Sequence, residues 1–124
     1  MPVRKFLVVV DDSPEFEAAL RYASRRAKST GGVVTLLRVL QPSVFEHWAG
    51  VREELERELR QEAEALLQKL GADAAALSGS TPEYLIETGE TKGAIKSVVA
   101  KDPDIKILVL AAASGGREIG RAHV

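Results

Sequence analysis

The 124-residue sequence contains no cysteine. Disulfides, thiolate catalysis and cysteine-based zinc sites are therefore excluded. No apolar run is long enough to span a bilayer, and "MPVRKF" leads directly into a strand-like segment rather than a secretion signal. The expectation is a cytoplasmic protein without membrane contact. A formal net charge of −1 gives no field for nucleic acid or an anionic surface. There is no Gly-x-Gly-x-x-Gly after the first strand and no Walker loop. His47 lies beside Trp48 in "FEHW", where a lone histidine is more often a packing residue than a base. No nucleophile, base and carboxylate share a recognisable spacing. The chain is thus expected not to be an enzyme, and no protein-held metal is expected.

What is present has the balance of a soluble domain, with 45% hydrophobic and 28% charged residues. The length suits one domain. "RKFLVVV" (4–10) is a continuous apolar run, the pattern of a strand buried on both faces. Ser13 can cap the next helix, with Pro14 at its first position and Glu15 in its first turn. Phe16, Ala19, Leu20, Ala23 and Ala27 follow at helical spacing, and "TGG" (30–32) ends the helix. "VVTLLRVL" (33–40) reads as a second strand. The stripe Val51, Leu55, Leu59, Leu66, Leu67 and Leu70 predicts a long helix that Gly71 ends, before a small-residue connection over 72–82. The charged residues from Arg52 to Glu64 then form its solvated face. "EYLIET" (83–88) is a more polar strand, suited to a sheet edge. A helix over 89–102 should bury Ile95, Val98 and Val99, and "IKILVLA" (105–111) is a fourth strand.

Strands alternating with helices build an open parallel sheet covered on both faces, a three-layer αβα arrangement. Ligands of such sheets bind beyond the carboxyl ends of the strands. The candidate site is therefore assembled from "VDDSP", "RVLQP" and "LAAASGG". Asp12 suits the cap of the first helix, whereas Asp11 suits a hydrogen bond to a ribose, a base or a metal-bound water. In "AAASGG" (111–116), consecutive N–H groups with almost no side chains can form an anion nest. The same residues also suit a plain turn that needs glycine.

"VVVDDSP" has the acidic pair of a receiver domain, but no aspartate occurs between Asp12 and Asp73 to accept a phosphoryl group. The receiver-like signalling reading is accordingly the weaker one. The segments "KFLVVVDDSPEFEAALRYASRRAKSTGGVVTLLRV", "IETGETKGAIKSVVAKD" and "IKILVLAAAS" together resemble the universal stress protein (UspA-like) family over residues 4–117. "FEHWAGV" is similar to single-domain alphaproteobacterial members. The resemblance implies a Rossmann-like fold of the adenine nucleotide alpha hydrolase type, with a five-stranded parallel sheet. It also implies a homodimer and a role in stress survival. Some members bind ATP and others do not, so ATP, with magnesium only as its companion ion, is the implied cofactor. The implied nucleotide residues are Asp11, Asp12 and Ser13 after the first strand and Val39 at the end of the second. Ala111, Ala112, Ser114, Gly115 and Gly116 follow the fourth. Ala111 and Ser114 stand where the family's phosphate loop has glycines, and its later Gly-Ser is absent. A non-nucleotide, protein-interaction module of the same fold is the alternative, with "VFEHW" as its contact.

The sequence ends "EIGRAHV". Back-translated, Glu118 to Val124 and a following stop coincide with a common short-read sequencing adapter. The expectation is a stress-protein domain over 1–117 with four of five strands, lacking its last helix and strand, and an artefactual tail over 118–124. The fourth strand would then be a bare apolar edge, with the dimer interface lost.

Overall fold

Valine, leucine and phenylalanine without interruption favour an extended backbone only where both faces can be buried. The computed structural model describes residues 4–42, 50–111 and the backbone of 122–123. In it the run becomes β1 (Lys5–Val9), followed by α1 (Phe16–Thr30), β2 (Val33–Leu40), α2 (Arg52–Ser78) and β3 (Glu83–Thr88). The chain continues with α3 (Thr91–Lys101), β4 (Ile105–Val109) and the two-residue β5 (Ala122–His123). The sheet order is β3-β2-β1-β4-β5. β1 through β4 pair in parallel, which makes the expected three-layer αβα sheet. β3 sits at an edge, as its polarity predicts.

The two faces of β1 divide the core. Phe6, Val8 and Val10 point to the layer of α1 and α2, where they meet Leu20, Val34, Leu36 and Leu67. Leu7 and Val9 point to the other layer, with Leu37, Val98 and Ile105. Each such fully buried leucine or phenylalanine contributes about 1.5–3 kcal/mol relative to exposure.

Four expectations are corrected. First, α2 does not stop at Gly71 but runs to Ser78 and ends at Gly79, which takes the left-handed φ of 77°. Gly71 instead faces β3, where a Cβ would meet the ring and hydroxyl of Tyr84 and displace that side chain. The buried stripe Ala63, Leu67, Gly71, Ala74 and Ser78 is made mostly of small residues, so a sheet of side chains can lie close against the helix. Second, α1 begins at Phe16 with Glu15 at its cap position, and no side chain caps it. Third, Val99 is exposed rather than buried, while Ala94 and Val98 carry the inner face of α3. Fourth, β4 is not a bare edge, because Leu108 and Val109 pair antiparallel with His123 and Ala122.

Candidate functional site

Val10 extends the β1 ladder by donating its N–H to the Leu37 carbonyl at 2.8 Å. Beyond it the chain must turn, and the carboxyl ends of β1 and β2 open into a cleft of about 400 Å³. Its walls are Val9 to Asp12, Arg38 to Gln41, Leu59 from α2 and Thr91 from α3. The Gln41 side-chain amide donates to the Thr91 hydroxyl at 2.9 Å, which ties the exit of β2 to the start of α3.

Asp11 holds the turn. Its Oδ1 accepts the Ser13 N–H at 3.0 Å and the Ser13 hydroxyl at 2.7 Å, an Asx turn that fixes the path into α1. Oδ2 has no partner among the described residues. The local structural role expected of Asp12 therefore belongs to Asp11, and Ser13 acts as a donor within this turn rather than as a helix cap. Asp12 is 84% exposed and lies 3.5 Å from Arg38 Nη2. The structure thus brings Asp11, Asp12 and Val39 to one cleft. Ala111 instead packs against the core on the α1–α2 side. Ala112, Ser114, Gly115, Gly116, His47 and Trp48 lie outside the described residues.

Arg38 escapes notice in the sequence. One arginine inside "VVTLLRVL" looks like a solvent-facing position in an alternating strand. In the fold it shares its face of β2 with the buried Val34 and Leu36, and its side chain is only 23% exposed. Nη1 donates to the Val10 carbonyl at 3.1 Å. Leu59 and Thr91 were equally illegible, because only tertiary packing carries them to the cleft.

A second polar cluster lies at the amino end of the sheet, away from the cleft. Lys5 Nζ is 2.7 Å from Asp102 Oδ2 and 3.0 Å from Glu83 Oε1. The Thr35 hydroxyl donates to the same Glu83 oxygen at 3.2 Å. The hydrogen bond to Asp102 raises the Lys5 pKa above its ordinary value, and the same bond lowers that of Asp102. The Asp104 N–H also donates to Asp102, at 3.0 Å. The cluster joins β1, β3 and the end of α3, which is a structural task. Among the described residues, no group of three or more His, Cys, Asp or Glu is placed to hold a metal ion. No helix among them is long and apolar enough to cross a membrane.

Solved structures share this architecture. The universal stress protein UspA from Lactobacillus plantarum superposes with a TM-score of 0.77 at 23% identity, over 95% of this chain and 83% of that one. A universal stress protein family member from Burkholderia pseudomallei gives 0.73 at 15%, over 87% and 80%. A universal stress protein in complex with cAMP gives 0.66 at 14%, over 90% and 74%. At such identities the likeness is one of fold. No curated protein matches the chain in sequence. The sequence pattern of the universal stress protein family, however, matches residues 2–121, nearly the whole chain, and the protein belongs to that family rather than to the receivers.

Proposed function

We propose that the chain is a stress-response binding protein that takes an adenine nucleotide in the cleft at the carboxyl ends of β1 and β2, without efficient catalysis. The observation that carries this reading is the cleft itself: about 400 Å³, with Asp11, Asp12 and Val39 on its walls. That volume falls in the range of roughly 300–1,000 Å³ typical of small-molecule sites. Asp11 can offer Oδ2 to a ribose hydroxyl while Oδ1 holds the turn, and Val39 supplies an apolar wall for a base. A protein of the same fold carries cAMP, an adenine nucleotide. The reading does not depend on a glycine-rich phosphate loop, and any magnesium would arrive with the nucleotide.

Calorimetric titration with ATP tests it. Saturable binding is expected, weakened about tenfold in Asp11→Asn, the loss of one good charge-assisted hydrogen bond. The asparagine keeps an oxygen for the Ser13 turn, so the fold should survive, as a thermal melt would verify. A folded parent protein that takes up no ATP would overturn the reading. It would favour the protein-contact alternative, which has one observation of its own. An apolar groove of about 320 Å³ runs between α3 and β4, lined by Ile95, Val99, Ile105 and Leu108.

A further inference from the structure

Arg38 is placed at a cost. It occupies the core-facing side of β2, beyond Val34 and Leu36, where burial penalises a charge unless a partner repays it. The partners among the described residues repay little. The Val10 carbonyl is neutral, and the Asp12 carboxylate is 3.5 Å away on an 84% exposed side chain. An exposed pair of that length contributes little. A guanidinium carries five N–H donors in a planar fork, and these two contacts occupy one each of its terminal nitrogens. Arg38 also lines the cleft that holds Asp11 and Val39. A partly buried cation with poor internal partners, facing a cleft, is matched by an anion of better geometry. Phosphate oxygens fit the fork two at a time.

We propose that Arg38 is the phosphate-binding residue of the cleft, and that Asp12 is a tethered competitor for the same guanidinium. This rests on the nucleotide reading above and deepens it by assigning the phosphate end of the ligand to β2. Asp12 acts twice against the ligand. It occupies one guanidinium nitrogen, and its negative charge repels an incoming phosphate. Arg38 therefore sets specificity for phosphorylated over unphosphorylated adenine compounds, and Asp12 lowers affinity for all phosphorylated ones.

The test is calorimetry with ATP, AMP and adenosine on the full chain, on Arg38→Gln, on Asp12→Asn and on the double variant, at one fixed ionic strength. The parent should prefer ATP and AMP to adenosine. Arg38→Gln should lose about tenfold or more in affinity for both nucleotides and leave adenosine unchanged. Asp12→Asn, an exposed substitution that leaves the turn at Asp11 intact, should gain a few-fold for ATP. That gain should vanish in the double variant. If Arg38→Gln weakens adenosine and ATP equally, or neither, the assignment of Arg38 is overturned while the nucleotide reading stands. If Arg38→Gln proves unfolded in a thermal melt, the Asp12→Asn arm decides, and unchanged or weaker ATP binding there overturns the proposal. If a folded parent binds none of the three ligands, both readings fall together.

Discussion

Gly32 and Gly71 look alike in composition and differ in what surrounds them. A Cβ on Gly32 would lie 2.5 Å from the Arg4 carbonyl oxygen and 3.1 Å from the Phe6 ring. The carbonyl belongs to the backbone and already accepts the Val33 N–H, and Phe6 is 1% exposed, so neither can give way. At Gly71 the colliding atoms are the far end of Tyr84, which is 45% exposed and can swing out. Alanine in a helix interior also gains about 1 kcal/mol over glycine, which offsets the displacement. Gly32→Ala should therefore cost about 2–3 kcal/mol, the upper range of overpacking, and Gly71→Ala less than about 1 kcal/mol. Urea denaturation of both variants checks the ranking, and equal losses would contradict it. The residue scale is also where the sequence is least legible. Asp11 and Asp12 are adjacent carboxylates, and only the chain path decides which one holds the turn. Arg38 became visible only when the sheet gave its strand an inward face.

The elements were legible wherever pattern and burial agreed. β2 has the bounds its apolar run predicts, and Gly31 ends α1 in the left-handed conformation. The disagreement in α2 has a single cause: a glycine that serves close packing leaves the same trace in a sequence as a glycine that stops a helix. What fastens the elements is also testable. Lys5 joins β1 to the end of α3 through Asp102, and the bond sets a pH dependence. The folded pKa of Asp102 lies below its unfolded value, so the stabilisation is complete above the ordinary carboxylate range. It is lost as pH falls through the folded value. For Lys5, whose folded pKa is raised, the contribution is complete below the ordinary lysine range and is lost as pH rises through the folded value. Asp102→Asn should cost about 1 kcal/mol at neutral pH, where the partly exposed ion pair is intact. It should also flatten the acid limb of stability. Melting curves of parent and variant between pH 3 and about 7 should converge at the acid end, and a constant offset across that range would argue against this role.

At the scale of the whole molecule, the sheet is held unevenly, and the unevenness follows from its order. β1 lies between β2 and β4, with Phe6 to Val10 buried on both faces. β2 is nearly as enclosed, with Val34 to Leu37 buried. β4 alternates differently: Lys106 is exposed, Ile107 and Leu108 are only partly covered, and an apolar groove runs beside it. Among the described residues, its outer neighbour β5 pairs with it at two positions. The cleft inherits this division. The residues that line it from β1 and β2 rest on the best-buried strands, whereas Ala111 follows the least enclosed of these three. Fold and cleft were both foreseeable from the alternation of elements, because strand order fixes where carboxyl ends meet. Local stability was not, since it depends on which faces find a cover. Native-state hydrogen exchange should therefore be slowest at Phe6 to Val10 and Val34 to Leu37, opening only with global unfolding, and faster at Ile105 to Val109 through local opening. Mild denaturant should raise exchange in the first set steeply and leave the second almost unchanged until the global transition. Amides of β4 protected as strongly as those of β1 would mean that the far side of the sheet is closed by contacts beyond those described for β4 and β5.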